Sequence, residues 1–564
     1  MNDARDRHNE RPLRPFSRAR SYLTHLKLSP LALAVAAASL AGSATLAFAA
    51  TGPTQTDYVN AANDAADWVL PARTYSGNRY VEEQEITPAN VATLKQSWKF
   101  QIPDDSPIET APIIWHGTMY VTSAHDDVYA LDAKTGSLKW TFEDHPHVIA
   151  FAANRGVAVM DGKVFVATLD GHLIALDADT GKKVWDVVGV HDTKNSFYTM
   201  APVPYKDKLL LGASDGDWGG IGYVTAFNAK DGSRAWEWKT VPGPGQKGHA
   251  TWSGDSWKRG GAAVWSGVAI DPKTDTLYMS LGNPQPDFLG TSRKGKNLYS
   301  DSVVALNIGS NEPKLEWYSQ LIPHDTHDWD PAMPPVLFEG KVDGKPRSLV
   351  GVGDKAGTFW ILDAKDGKPV HKTPVSFQLN QGEAPSAGGN VACPNTNGGV
   401  EFNGGTYDPG TNTFFVPSTN QCGEWKSENR AVYLAGQFYL GGGFPKLVGP
   451  STGWFNGVNV DNGVFSWRHP FEHPANGGAL VLSTGIVFTG QLNGIFDAFD
   501  TKTGKTLWSF DTGSSITAPA ATYAMDGTRY VVVASGQPGN LKVPDLPKEN
   551  KGSMVSAFAI GTGS

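Results

Sequence analysis

Cysteine is nearly absent: the 564 residues hold only Cys393 and Cys422. Two isolated cysteines exclude a C-x-x-C-H haem attachment, so any electrons this chain handles leave through another carrier. Both lie in loop-like sequence rich in Asn, Gly and Pro, and they read as one loop staple, with two free thiols as the alternative. No basic run occurs beyond the first 27 residues, which argues against nucleic acid as a partner. Nor does any stretch after the N-terminus keep a long helical period, which excludes a helical bundle.

Turn formers and aromatics are abundant instead. Gly 63 and Pro 37 make up nearly a fifth of the chain, and Trp 18 is high. Much turn chemistry with many aromatics predicts a large all-β body. The N-terminus is separate in character. Arg5, Arg7, Arg11, Arg14, Arg18, Arg20 and Lys27 precede an apolar, small-residue run ending in Ala47-Phe48-Ala49. This is an n-region, an h-region and an A-x-A cleavage signature, so residues 1–49 read as a signal peptide and residues 50–564 as a single exported domain. An uncleaved membrane anchor is the competing reading. Cleavage would remove seven basic and three acidic groups, taking the net charge from -8 to near -12. It would leave no stable membrane insertion and a compartment where disulfides form.

A repeat runs through the body. It reads ALDAKTGSLKW to Trp140, ALDADTGKKVW to Trp185, AFNAKDGSRAW to Trp236 and AFDTKTGKTLW to Trp508, with weaker copies ending at Trp317, Gly367 and Trp467. In each, an apolar strand end meets a tight Asp/Asn–Gly turn and the next strand closes on Trp. One such unit cannot bury its own face, so several must stack. Spacings of about 41 to 51 residues suit a four-stranded blade, and roughly 500 residues hold about eight. The prediction is an eight-bladed β-propeller with tryptophan-docking repeats. A solenoid is the competitor; RYVVVASG, near the C-terminus, is expected to pair with early strands and close the ring.

Loops between the repeats carry polar residues that a propeller brings to its axis. They are Glu109 in IETAP, Arg155 in NRG, Thr199 in TMAP, Ser214 and Asp217 in GASDGDWGG, Trp265 in GGAAVWSG, Asn283 in LGNPQP, the box HDTHDWD over 324–330, and Lys355 in GDKAG. Together they offer hard oxygen ligands, a flat aromatic face and cationic groups. That set suits a metal beside a planar anionic cofactor. For the box alone, a solvated turn and a zinc site are the other readings.

At these residues the chain resembles the quinoprotein alcohol dehydrogenases, eight-bladed propellers that bind pyrroloquinoline quinone (PQQ). The resemblance starts at DWVLPARTYSGNRYVEEQEITPANVATLKQSWKF, covers essentially the whole body, and is most specific in GGAAVWSGVAIDPKTDTLYMSLGNP. It implies that Trp265 forms the floor under PQQ, and that Glu109, Arg155, Thr199 and Ser214 hold the cofactor's carboxylates and ring. It also implies that Asp217 and Asn283 bind the metal, and that Asp328 is catalytic base and metal contact. Lys355 would meet the reactive quinone oxygen as a catalytic and cofactor-binding residue. The implied reaction is oxidation of an alcohol by hydride transfer to PQQ. The cation acts as Lewis acid, Asp328 takes the hydroxyl proton, and electrons pass to a separate cytochrome c in the periplasm.

The chain departs from the pattern in several places. The vicinal cysteine pair of the best-known members would fall at Ile149 and Ala150. Asp217 stands where the family has Glu. Asp330 resembles the extra Asp of the lanthanide-dependent members, yet similar members work without lanthanides, so Ca2+ is expected with a lanthanide ion as the alternative. GGVEFNGGTYDP resembles enzymes for bulkier alcohols and places Glu401 toward cofactor or substrate, and a family tryptophan is missing near Asn476. Two lost bulky groups predict a substrate larger than methanol. Cys393 and Cys422 match a disulfide of methanol dehydrogenases. The competing functions are a PQQ-dependent sugar or polyol dehydrogenase and a non-catalytic envelope scaffold.

Overall fold

The computed structural model describes residues 52–144, 152–539, 543, 546 and 551–561. The expected export segment 1–49 and positions Ile149 and Ala150 lie outside them. The described chain forms eight antiparallel four- or five-stranded sheets, the eight blades expected. Blades 1 to 5 span 113–142, 158–188, 203–239, 268–320 and 336–374; blade 6 spans 390–471 and blade 7 spans 480–511. Blade 7 gains Tyr80–Val81, which runs parallel to its first strand. No helix among the described residues is long and apolar enough to cross a membrane.

Ring closure differs in detail from the expectation. Thr528–Ser535, which contains RYVVVASG, lies inside the eighth sheet, and the strand that meets the N-terminal Leu94–Gln101 is Met554–Ile560. The reason is burial. Thr528–Ser535 is buried almost throughout and needs a partner on both sides, whereas LKQSWKFQ alternates buried and exposed residues and suits an outer edge.

The tryptophan repeat joins one blade to the next. Trp140 of blade 1 donates its indole N–H to the Ala178 carbonyl of blade 2 at 2.9 Å, and its ring covers Gly181. Trp98, Trp317 and Trp467 repeat the contact with the carbonyls of Ala133, Ala364 and Thr501. The turn glycine has φ +70°, and a Cβ there would sit 2.6 Å from the Trp140 ring. That is why the copies at Gly136, Gly181, Gly367 and Gly504 read Gly under the tryptophan of the preceding blade: the conformation and the space both exclude a side chain. Blade 5 lacks the tryptophan, and His371 takes its place against Gly463 of blade 6.

Cys393 and Cys422 are disulfide-bonded, which settles staple against free thiols. The bond ties the start of blade 6 to its long strand Thr413–Ser427. That strand and Gly442–Asn459 form an extended hairpin whose connection, 428–441, reaches toward blade 3. There the Tyr439 N–H donates to the Asp217 carbonyl at 2.7 Å, and Phe438 packs on Trp218 with centroids 4.3 Å apart.

Candidate active site

The expected residues occupy two recurrent places in the blades. Glu109, Arg155, Thr199, Trp265, Asp330 and Glu401 precede the first strands of blades 1 to 5 and the short inner strand Thr406–Asp408 of blade 6. Ser214, Asn283 and Lys355 follow the second strands of blades 3, 4 and 5. In an antiparallel pair, the start of one strand and the end of the next lie at the same end. Both sets therefore meet at one end of the sheets, and residues far apart in sequence become neighbours.

One half of the site is a continuous network. Arg155 ion-pairs with Glu109 at 2.8 Å, donates to Thr199 Oγ1 at 2.6 Å and to the Trp265 carbonyl at 3.2 Å. Thr199 and Ser214 share a hydrogen bond of 2.8 Å. The Arg155 guanidinium lies 5.1 Å from the Trp265 ring centroid and 4.1 Å from that of Phe402. On the other side, Trp265 donates its indole N–H to Asp330 Oδ2 at 2.8 Å, and Lys355 Nζ stands 5.5 Å from the same ring. The half-buried face of Trp265 is thus bracketed by two cations.

The other half is acidic. Lys355 Nζ is 2.7 Å from Asp328 Oδ1 and 2.7 Å from Asp330 Oδ1, all three side chains being buried. Asp328 has φ +57°, a left-handed conformation that Asp tolerates better than most residues, and it holds the carboxylate on the lysine. Burial pushes the Asp328 carboxyl well up, opposed by the Lys355 ammonium. Burial likewise raises Asp217 to about 6 and Glu401 to about 7, again opposed by Lys355. Although burial opposes it, the charge of Lys355 itself is reinforced by Asp328 and Asp330, and its pKa stands well above the ordinary value.

Within the box, the other residues are structural. Asp325 accepts the N–H groups of His327 and Trp329 at 2.9 and 2.7 Å. His327 stacks on Trp329 with centroids 4.0 Å apart, and burial lowers its pKa to about 4. Among the described residues, no three His, Cys, Asp or Glu side chains converge closely enough to hold a metal as they stand.

Every expected residue is brought to this place. Three neighbours were not foreseen. Phe402 faces Trp265 edge-on at 6.2 Å. Gln285 donates to Asp217 Oδ1 at 3.3 Å and also to Asp287, whose buried Oδ2 has no partner among the described residues. All three sit in turn-like sequence that carries no periodic signal; only adjacency to Glu401 and Asn283 marks them.

Residues 68–384 and 456–531 match the model of the PQQ-dependent glucose/ethanol/alcohol dehydrogenase β-propeller domain. The chain belongs to this family. It is 31% identical over 535 residues to the quinoprotein alcohol dehydrogenase PedH of Pseudomonas putida, covering 86% of this chain and 89% of that protein. With the lanthanide-dependent methanol dehydrogenase of Methylacidiphilum fumariolicum it shares 30% identity over 93% of this chain and 94% of the relative. The crystal structure of the quinohemoprotein alcohol dehydrogenase of Comamonas testosteroni superposes with a TM-score of 0.82 at 27% identity, over 91% of this chain and 83% of that one. The chain is thus a PQQ-dependent alcohol dehydrogenase, an oxidoreductase acting on CH–OH groups.

The residues present fit the cofactor. A planar ring bearing carboxylates needs a flat face and fixed cations, and Trp265 with Arg155 and Lys355 supplies both. Arg155 Nε is buried without a partner among the described residues. For a cation, the donor chemistry of Asp217, Asn283, Asp328 and Asp330 fits a hard ion. In this arrangement, however, the positive charge between Asp328 and Asp330 is the Lys355 ammonium.

Proposed function

We propose that this enzyme is exported by its first 49 residues and oxidises, in the periplasm, an alcohol larger than methanol, passing electrons to a separate cytochrome c. The observation that carries the site assignment is the buried Lys355 bridge, which joins Asp328 and Asp330 beside the Trp265 face.

When bound, PQQ supplies the two-electron acceptor and the cation a Lewis acid. Trp265 would carry the cofactor ring, with Glu109, Arg155, Thr199, Ser214 and Glu401 around its polar edge. Asp217, Asn283 and Asp328 would hold the cation, Ca2+ in the first instance, and Asp330 would add the charge that favours a lanthanide. Asp328 is the base: its carboxylate takes the substrate hydroxyl proton. Lys355, paired with Asp328 at 2.7 Å, favours its ionised, proton-accepting form. Lys355 also presents a fixed positive charge to oxygen that becomes negative during the reaction. The absence of the family tryptophan near Asn476, and of the vicinal cysteine pair at Ile149 and Ala150, supports the larger substrate.

The test is dye-linked alcohol oxidation by the purified protein with added PQQ and either calcium or lanthanum, for wild type and Asp328→Ala. PQQ-dependent activity that is lost in the variant supports the reading, and the preferred ion assigns Asp330. No PQQ-dependent turnover of any alcohol, with no PQQ binding, sinks it and leaves the propeller as a scaffold.

A further inference from the structure

Five arginines are buried in the described chain, and four have their charge answered. Arg73 donates to the carbonyls of Tyr80, Ala62 and Asp64, with the charges of Asp64 and Glu82 acting on it. Arg293 bonds Pro286, Asp287, Asn297 and Asp325, with the charges of Asp325, Asp301 and Asp287 around it. Arg155 has Glu109, and Arg529 has Glu83 and Glu85 close by. Arg79 is the exception. Its Nη1 donates to the Asn403 carbonyl at 2.6 Å, its Nε, like those of Arg155 and Arg529, has no partner among the described residues, and no carboxylate among them acts on its charge. Burial alone lowers its pKa to about 10, which leaves it fully charged at neutral pH. An unanswered buried charge is costly, and proteins normally pair it.

Arg79 lines a cavity that is partly open to solvent. The cavity adjoins the cofactor cradle through Glu109, Arg155 and Phe402, but Trp265, Lys355 and Asp328 do not line it. Glu109 is already neutralised by Arg155 at 2.8 Å, so the chamber carries the net positive charge of Arg79. Its other walls are largely apolar, with Leu70, Val203, Val268, Pro334 and Pro519 among them.

We propose that this chamber is a second ligand site, which takes a small monocarboxylate with its acid group paired to Arg79 and its short apolar body against these walls. A planar guanidinium suits a carboxylate, and a charge-assisted pair is stronger away from bulk water. The site does not depend on the assignment of Asp328 or of the cation.

The experiment uses the full purified protein and two probes, bromide and propionate. Crystals soaked in sodium bromide should show an anomalous peak at the Arg79 guanidinium that a propionate back-soak removes. In solution, saturating propionate should raise the wild-type Tm by about 2 °C or more. The rise should vanish in Arg79→Gln. Should that variant fail to fold, Ala201→Phe, which fills the chamber and leaves Arg79 in place, must abolish it. No bromide at Arg79 in the wild type, or an equal propionate response in wild type and variant, overturns the proposal.

Discussion

Lys355 and Asp328 form a buried ion pair, Nζ to Oδ1 2.7 Å, and the same ammonium reaches Asp330 at 2.7 Å. One cation thus offsets the charge of two carboxylates out of contact with bulk water. Breaking such a pair by removing one partner costs about 3–5 kcal/mol, because it leaves uncompensated charge. Lys355→Met should therefore destabilise the cation-free protein by several kcal/mol and cut kcat/KM at least about 100-fold. Added calcium or lanthanum should restore more of the variant's Tm than it adds to the wild type, as thermal unfolding with and without the ion would show. An unchanged Tm would mean that the bridge does not hold the carboxylates.

Trp265 offers its half-buried face between Arg155 and Lys355. Trp265→Ala removes the stacking surface and leaves both cations. PQQ affinity, followed by absorbance or intrinsic fluorescence, should fall at least about tenfold, while the circular dichroism of the propeller stays unchanged.

The blade contacts make a prediction remote from the chemistry. Gly181→Ala forces a Cβ to 2.6 Å from the Trp140 ring at φ +70°. The cost should be about 1–3 kcal/mol, read as a lower denaturation midpoint. An equal change at the exposed Gly527, where φ is +77° and a Cβ would meet nothing within 4 Å, should cost less and separate backbone strain from the ring clash.

Two buried carboxyls set a pH dependence. Burial raises Asp215 and Asp354 each to about 7, partly opposed by hydrogen bonds from Ser196 and Trp360 respectively. In the unfolded chain both titrate near 4. Between these values the folded state binds more protons, so stability falls as pH rises from about 4 through 7. The Tm of the cation-free protein should be higher at pH 5.5 than at pH 8, and Asp354→Asn should flatten the slope. A Tm that rises with pH across this window would contradict the assignment.

The disulfide supports blade 6 alone. Cys393→Ser with Cys422→Ser should lower stability by about 2–4 kcal/mol in chemical denaturation. Loss of PQQ-dependent activity should follow only to the extent that the hairpin bearing the 428–441 connection loosens over Asp217.

The repeat is legible in the amino-acid sequence because its physics is local. An apolar strand, an Asp–Gly turn and a tryptophan recur within a dozen residues, and such units must stack to be buried. Trp265, Asp328 and Lys355 are legible for a different reason: each sits in a short, distinctive segment that resembles the family. The remaining relationships lie between segments far apart in sequence. That Lys355 bridges Asp328 and Asp330, that Phe402 faces Trp265, that Met554–Ile560 closes the ring and that Arg79 is buried without a counter-charge all depend on blade order around an axis. No local pattern encodes which loops meet there. Ring closure alone brings the strand ends together, and burial then raises the energetic weight of every charge they carry.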